Sequence, residues 1–145
     1  MLKYKDLTPE QKKHVCNGCG GKGGIIKPPS FIFKASCNHH DFLYWRGCSE
    51  ADKISADDNF YSWMRKDIKL APWYKKPHYH VWAWAYYKFV WLGGDKYFHY
   101  TDKPKDVDDL NREMLYKKKS RYNNKKDIDE ESNCRFSSFS SFKWM

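Results

Sequence analysis

The sequence predicts a mainly α fold, with two antiparallel core helices, a glycine-rich loop ahead of the first and an aromatic third helix after the second. Three observations lead there. Ile54, Tyr61, Met64 and Ile68 recur at helical spacing. Start and stop signals bracket the helical stretches, with Thr8-Pro9 and Ser49 opening helices and Gly47 and Gly93-Gly94 closing them. The run from Val81 to Leu92 is apolar and aromatic and contains no glycine or proline. At 145 residues one domain is expected, large enough to bury about two thirds of its unfolded surface. Residues 1–100 are read as that domain and residues 101–145 as a charged, partly helical extension.

The elements follow in order. Thr8 is placed as an N-cap, Pro9 at the first helical position and Gln11 to complete a capping box, so a short helix should reach about Val15. Asn17 to Gly24 holds five of the chain's eight glycines, which excludes a stable helix or strand interior there. Pro28 to Phe33 is an extended apolar approach to the helix bearing His40, which should end at Gly47. Ser49 with Asp52 caps the next helix, and Ala51 to Ile68 carries its apolar stripe. Leu70-Ala71-Pro72 and Pro77 break the chain before a third helix from about His78 to Leu92. Its apolar run contains Lys88 and is too short to span a bilayer. Beyond Tyr100 the chain turns to mixed charges, a helix is expected over Asp106 to Lys119, and the last twenty residues read as a weakly ordered tail.

A formal charge of +9 and a pI near 9.2 predict attraction to a polyanion: an anionic membrane, a nucleic acid or an acidic protein. Aromatic residues make up 19% of the chain, and rings beside Lys and Arg suit a lipid headgroup layer or stacked bases. The first residues lack the apolar core and cleavage site of a secretory signal. The chain as given is therefore read as cytosolic, exported by another route, or a mature fragment.

The chemistry concentrates in Cys37-Asn38-His39-His40-Asp41-Phe42-Leu43-Tyr44. On a helix, Cys37, His40 and Tyr44 project from adjoining parts of one face, while Asp41 is rotated by about 100°. One residue can work on a proton while its neighbour holds a cation. Histidine exchanges protons near neutral pH, and a carboxylate suits a hard metal. The glycine loop can turn several carbonyls to one point, and such a cage completed by one distant carboxylate fits calcium. A phosphate-loop reading is weaker, since no Gly-Lys-Ser/Thr ending follows the glycines. His39 is assigned no role, and Lys117 to Lys119 reads as a solvated face.

These residues resemble the secreted-type phospholipase A2 family, especially its bacterial and atypical cysteine-poor members. The likeness rests on the Asn17-Gly18-Cys19-Gly20 loop, Cys37 three residues before His40, the His40-Asp41 pair, Tyr44, and a second helix carrying Asp57-Asp58-Asn59-Phe60-Tyr61. It extends weakly to Trp84-Ala85-Tyr86-Tyr87 and Val90, and covers roughly residues 16 to 94. The resemblance implies a calcium-dependent lipase that cleaves the sn-2 ester of glycerophospholipids, and the basic charge then predicts a phospholipid membrane partner, preferably anionic. It implies His40 as the catalytic base, with Asp57 and Tyr44 completing the catalytic group. Calcium would be held by Asp41 and carbonyls of the loop formed by Cys19, Gly20, Gly21, Lys22, Gly23 and Gly24. A disulfide between Cys19 and Cys37 is also implied, if the protein works in an oxidising compartment. Asp57 is preferred to Asp58 as the partner of His40 because it lies three residues after Ile54, four before Tyr61 and seven before Met64. That centres it on the expected buried stripe, with Asp58 turned towards Ser62 and Arg65.

Two other readings use the same residues. Cys16, Cys19, Cys37 and His40 have the types and spacing of a four-coordinate zinc site, which with the basic charge would make a nucleic-acid-binding module. A catalytically inactive lipid-binding or toxin-like scaffold is the third class.

Overall fold

The structure, a computed structural model, describes residues 2–20 and 30–139. It is mainly helical, with no strand among the described residues. The helices are α1 (Pro9–Val15), α2 (Lys34–Arg46), α3 (Glu50–Leu70), α4 (Lys76–Gly93) and α5 (Val107–Phe139), with 3-10 turns at Tyr4–Asp6 and Trp73–Lys75. The chain divides into two compact units, the first ending at Val107 and the second beginning at Asp108.

Local chemistry sets the helix boundaries. Thr8 accepts a hydrogen bond from the Gln11 amide while the Gln11 side chain accepts one from the Thr8 amide, closing a capping box. Ser49 and Asp52 do the same at the start of α3. Gly47 caps the end of α2 at φ 67°, and a Cβ there would run into the His99 backbone. This is a position that only glycine fills without strain. A three-residue connection between α2 and α3 reverses the chain. Ser36 then bonds Asp67 at 2.6 Å, near the start of one helix and the end of the other, while His40 meets Asp57. The two helices are therefore antiparallel.

The core lies between α2, α3 and α4. Phe33, Cys37, Phe60, Met64, Ile68, Ala83 and Tyr86 are buried there together with Cys19. The buried stripe of α3 is Lys53, Ala56, Asp57, Phe60, Met64 and Ile68. Ile54, expected to anchor that stripe, is instead 53% exposed; the helix is turned so that its neighbour Lys53 faces inward.

After α4 the chain returns to the α2–α3 connection. The His99 amide donates to the Tyr44 carbonyl, the Cys48 amide to the His99 carbonyl, the Thr101 amide to the Cys48 carbonyl, and the Lys105 amide to the Arg46 carbonyl. Phe98 is buried against Tyr44 and Ala56. This return segment extends the first unit to Val107, beyond the boundary at residue 100 read from the sequence. In the second unit, helix continues past Lys119 to Phe139, so residues 126–139 of the expected tail are helical. The interval from Val107 to Phe139 holds no proline or glycine to stop it. The rest of that tail lies outside the described residues.

Candidate active site

The site is built where the facing sides of α2 and α3 bury polar groups. His40 and Asp57 are 5% and 2% exposed, burial that neither side chain tolerates without partners. The His40 Nε2 lies 2.9 Å from Asp57 Oδ1, and the Tyr44 hydroxyl donates to the same oxygen at 2.6 Å. Lys53 donates from Nζ to Asp57 Oδ2 at 3.2 Å. Both carboxylate oxygens are thus engaged. The His40 ring is stacked on Phe60 at 4.5 Å between centroids and lies 4.1 Å from the Tyr44 ring.

Charge states follow from these contacts. Burial pushes Asp57 up, but the hydrogen bonds from His40 and Tyr44 and the charge of Lys53 outweigh it and hold the carboxyl below its ordinary value. Burial lowers His40, and the opposing pull of Asp57 is not enough to restore it. An ionised carboxylate can only accept, so the neutral imidazole carries its proton on Nε2 and leaves Nδ1 with a lone pair. Burial and then Asp57 push Tyr44 far up, so its phenol stays protonated and donating.

Lys53 was not singled out by sequence reasoning. It is 5% exposed and also pairs with Asp95 at 3.3 Å, immediately after Gly94. Burial works against its charge, yet Asp57 and Asp95 raise its pKa above the ordinary lysine value. Gly94 was read only as a helix stop. A Cβ on it would strike the Tyr44 hydroxyl, so glycine there leaves room for the donor to Asp57. The only available signal was the i,i+4 spacing of Lys53 and Asp57 on one helix.

Asp58 is separate from this group and accepts from the Tyr87 hydroxyl at 3.1 Å, on α4. As expected, it lies on the exposed face of the helix that also carries Ser62 and Arg65. His39 sits between Tyr4 and Trp63, at 4.1 and 5.2 Å between ring centroids.

On the adjoining face of α2, Asp41 Oδ2 accepts from the Asn17 amide at 2.8 Å and the Gly18 amide at 3.0 Å. The Asn17 side chain donates to the Gly20 carbonyl at 2.7 Å. Gly18 has φ 79° and Gly20 φ 150°, backbone that other residues rarely adopt. Asp41 is therefore fixed where the glycine run begins. The Asp41 carboxylate and the Gly20 carbonyl are hard oxygen donors, and they fit calcium in kind. Gly21, Lys22, Gly23 and Gly24 lie outside the described residues. Among the described residues, no three His, Cys, Asp or Glu side chains converge on a metal position.

Cys19 and Cys37 are joined in a disulfide that ties the stem of the glycine loop to α2. The zinc reading does not fit this arrangement, because two of the three sulfurs that it needs as thiolates are bonded to each other. Cys16 bonds the Asn38 carbonyl at 3.3 Å. Its thiol is pushed up to about 11, first by burial and then by Asp41, so it is not poised as a thiolate ligand.

No family model, curated protein or solved structure matches the chain. The likeness to phospholipases A2 thus rests on the residues themselves.

Proposed function

We propose that this chain is a calcium-dependent, phospholipase A2-like esterase that hydrolyses the sn-2 ester of glycerophospholipids. The observation that carries the reading is the buried His40–Asp57–Tyr44 group, with Asp41 set at the glycine loop on the neighbouring face of the same helix.

In this reading His40 Nδ1 takes a proton from water as the water oxygen adds to the ester carbonyl carbon. Asp57 holds the ring by Nε2 and stabilises the imidazolium that forms. Collapse of the tetrahedral species breaks the bond to the glycerol oxygen, which receives the proton from His40. Fatty acid and lysophospholipid leave, and no bond to the protein is made. Asp41 and loop carbonyls would hold calcium, which when bound supplies positive charge to polarise the carbonyl and stabilise the oxyanion.

Fatty-acid release from phospholipid vesicles, measured in calcium and in chelator, tests this. Release is expected in calcium alone, and His40→Asn should lower it by about 10²-fold or more, the range of a lost general base. His40→Asn with full calcium-stimulated hydrolysis and an unchanged melting temperature would sink the proposal.

A further inference from the structure

Helix α4 is apolar on two opposite sides, and only one of them is covered. Tyr79, Ala83, Tyr86 and Val90 face the core. Val81, Trp84, Lys88 and Trp91 recur at helical spacing on the other side, flanked by Phe89 and Leu92. On that side Val81 is 66% exposed, Trp84 56%, Phe89 74%, Trp91 54% and Leu92 72%. Leu70, Trp73 and Tyr74, just ahead of the helix, are exposed too. Apolar residues exposed singly need no explanation, but a continuous stripe of large ones marks a contact surface.

The charges around this stripe identify what it contacts. From Leu70 to Gly94 there is no acidic residue, while Lys75, Lys76 and Lys88 lie within that interval and Lys96 just beyond it. Lys88 Nζ sits 4.9 Å from the Trp91 ring centroid, Lys75 5.8 Å from that of Tyr74, and Lys96 4.8 Å from that of Tyr97. These ammonium groups sit over ring faces, so positive charge and exposed aromatic surface are interleaved along this side. Among the described residues, no helix is long and apolar enough to cross a membrane. A helix with these features lies in the plane of the interface, rings in the acyl boundary and lysines among headgroups. A second copy of the chain would bring the same lysines against one another.

We propose that the outer face of α4, from Val81 to Leu92, docks this protein on an anionic phospholipid surface. The surface is the substrate-bearing one of the proposed hydrolysis, so the inference rests on that reading for its purpose, although docking itself needs no turnover.

The test uses the full chain and vesicles of phosphatidylcholine containing phosphatidylglycerol, in chelator, with binding read by co-sedimentation and by quenching of tryptophan with brominated acyl chains. Trp84→Ser/Phe89→Ser/Trp91→Ser should weaken binding at least tenfold and leave helicity unchanged. Tyr116→Ser/Tyr122→Ser, which alters exposed rings on α5, should bind as the native chain does. Hydrolysis of a dispersed short-chain phospholipid is measured in parallel with calcium. A native chain that binds vesicles but hydrolyses nothing removes the esterase reading and leaves the docking face standing. Unchanged vesicle binding by the triple variant overturns the docking face whatever the activity. Tryptophan burial that depends on protein concentration, without vesicle binding, overturns it in favour of self-association.

Discussion

At the scale of single residues, the site turns on which acid meets His40. Asp57 and Asp58 are adjacent, but a helix separates neighbours by about 100°. Asp57 points into the α2 interface with three donors on it, and Asp58 points to Tyr87. Asp57→Asn should therefore lower hydrolysis by about 10²–10⁴-fold, with calcium binding retained, while Asp58→Asn keeps most of the native rate. Steady-state rates and calcium titration of the two variants check this, and the opposite pattern would transfer the role to Asp58. The same contacts make folding sensitive to acid. Folded His40 has a pKa below 6.5, so the unfolded chain takes up that proton first and stability falls as pH drops below 6.5. Asp57 has a folded pKa below 3.8, so its contribution is present above 3.8 and is lost as pH falls through the folded value. Urea midpoints should decline from pH 7 towards pH 4 and more steeply below; a flat profile across that range would contradict the assignment.

At the scale of elements, what was legible in the sequence is what local chemistry decides. Thr8 with Gln11 and Ser49 with Asp52 form capping boxes because each needs only residues three apart. The facing of Asp57 towards α2 was legible from spacing against Met64, even though the stripe is anchored on Lys53 rather than Ile54. Lys53 was missed because a lysine in a helix normally reads as solvated, and its burial depends on Asp95, 42 positions away. The return segment was missed because its bonds to Arg46 and Cys48 run between backbone groups that any residue carries. The bridge between Cys19 and Cys37 is also an element-scale device, closing a separation of 18 residues around the glycine loop. Loops of about this length are stabilised by roughly 3 kcal/mol when cross-linked. Reduction should lower the unfolding free energy by about that amount. Denaturant curves with and without reductant measure it, and coincident curves would show that the bridge does not restrain the unfolded chain.

At the scale of the whole molecule, charge and apolar surface would divide the work of the proposed membrane docking. A net +9 draws the chain towards any anionic surface, but it does so over a Debye length of only about 8 Å at physiological ionic strength. Each lysine at such a surface contributes about 1 kcal/mol, so Lys75, Lys76, Lys88 and Lys96 can together change binding by orders of magnitude at low salt. The exposed rings of α4 act differently, because removing apolar area from water does not depend on screening. Binding should therefore have two separable parts. Affinity for vesicles containing phosphatidylglycerol is expected to fall at least tenfold as salt rises to about 1 M, where the Debye length is about 3 Å. Affinity for purely zwitterionic vesicles should be weaker at the start and nearly unchanged by the same salt. Co-sedimentation across a salt series on both vesicle types separates the parts. Equal affinity for the two at low salt would remove the electrostatic part, and complete loss of binding at high salt would remove the contribution of Trp84, Phe89 and Trp91.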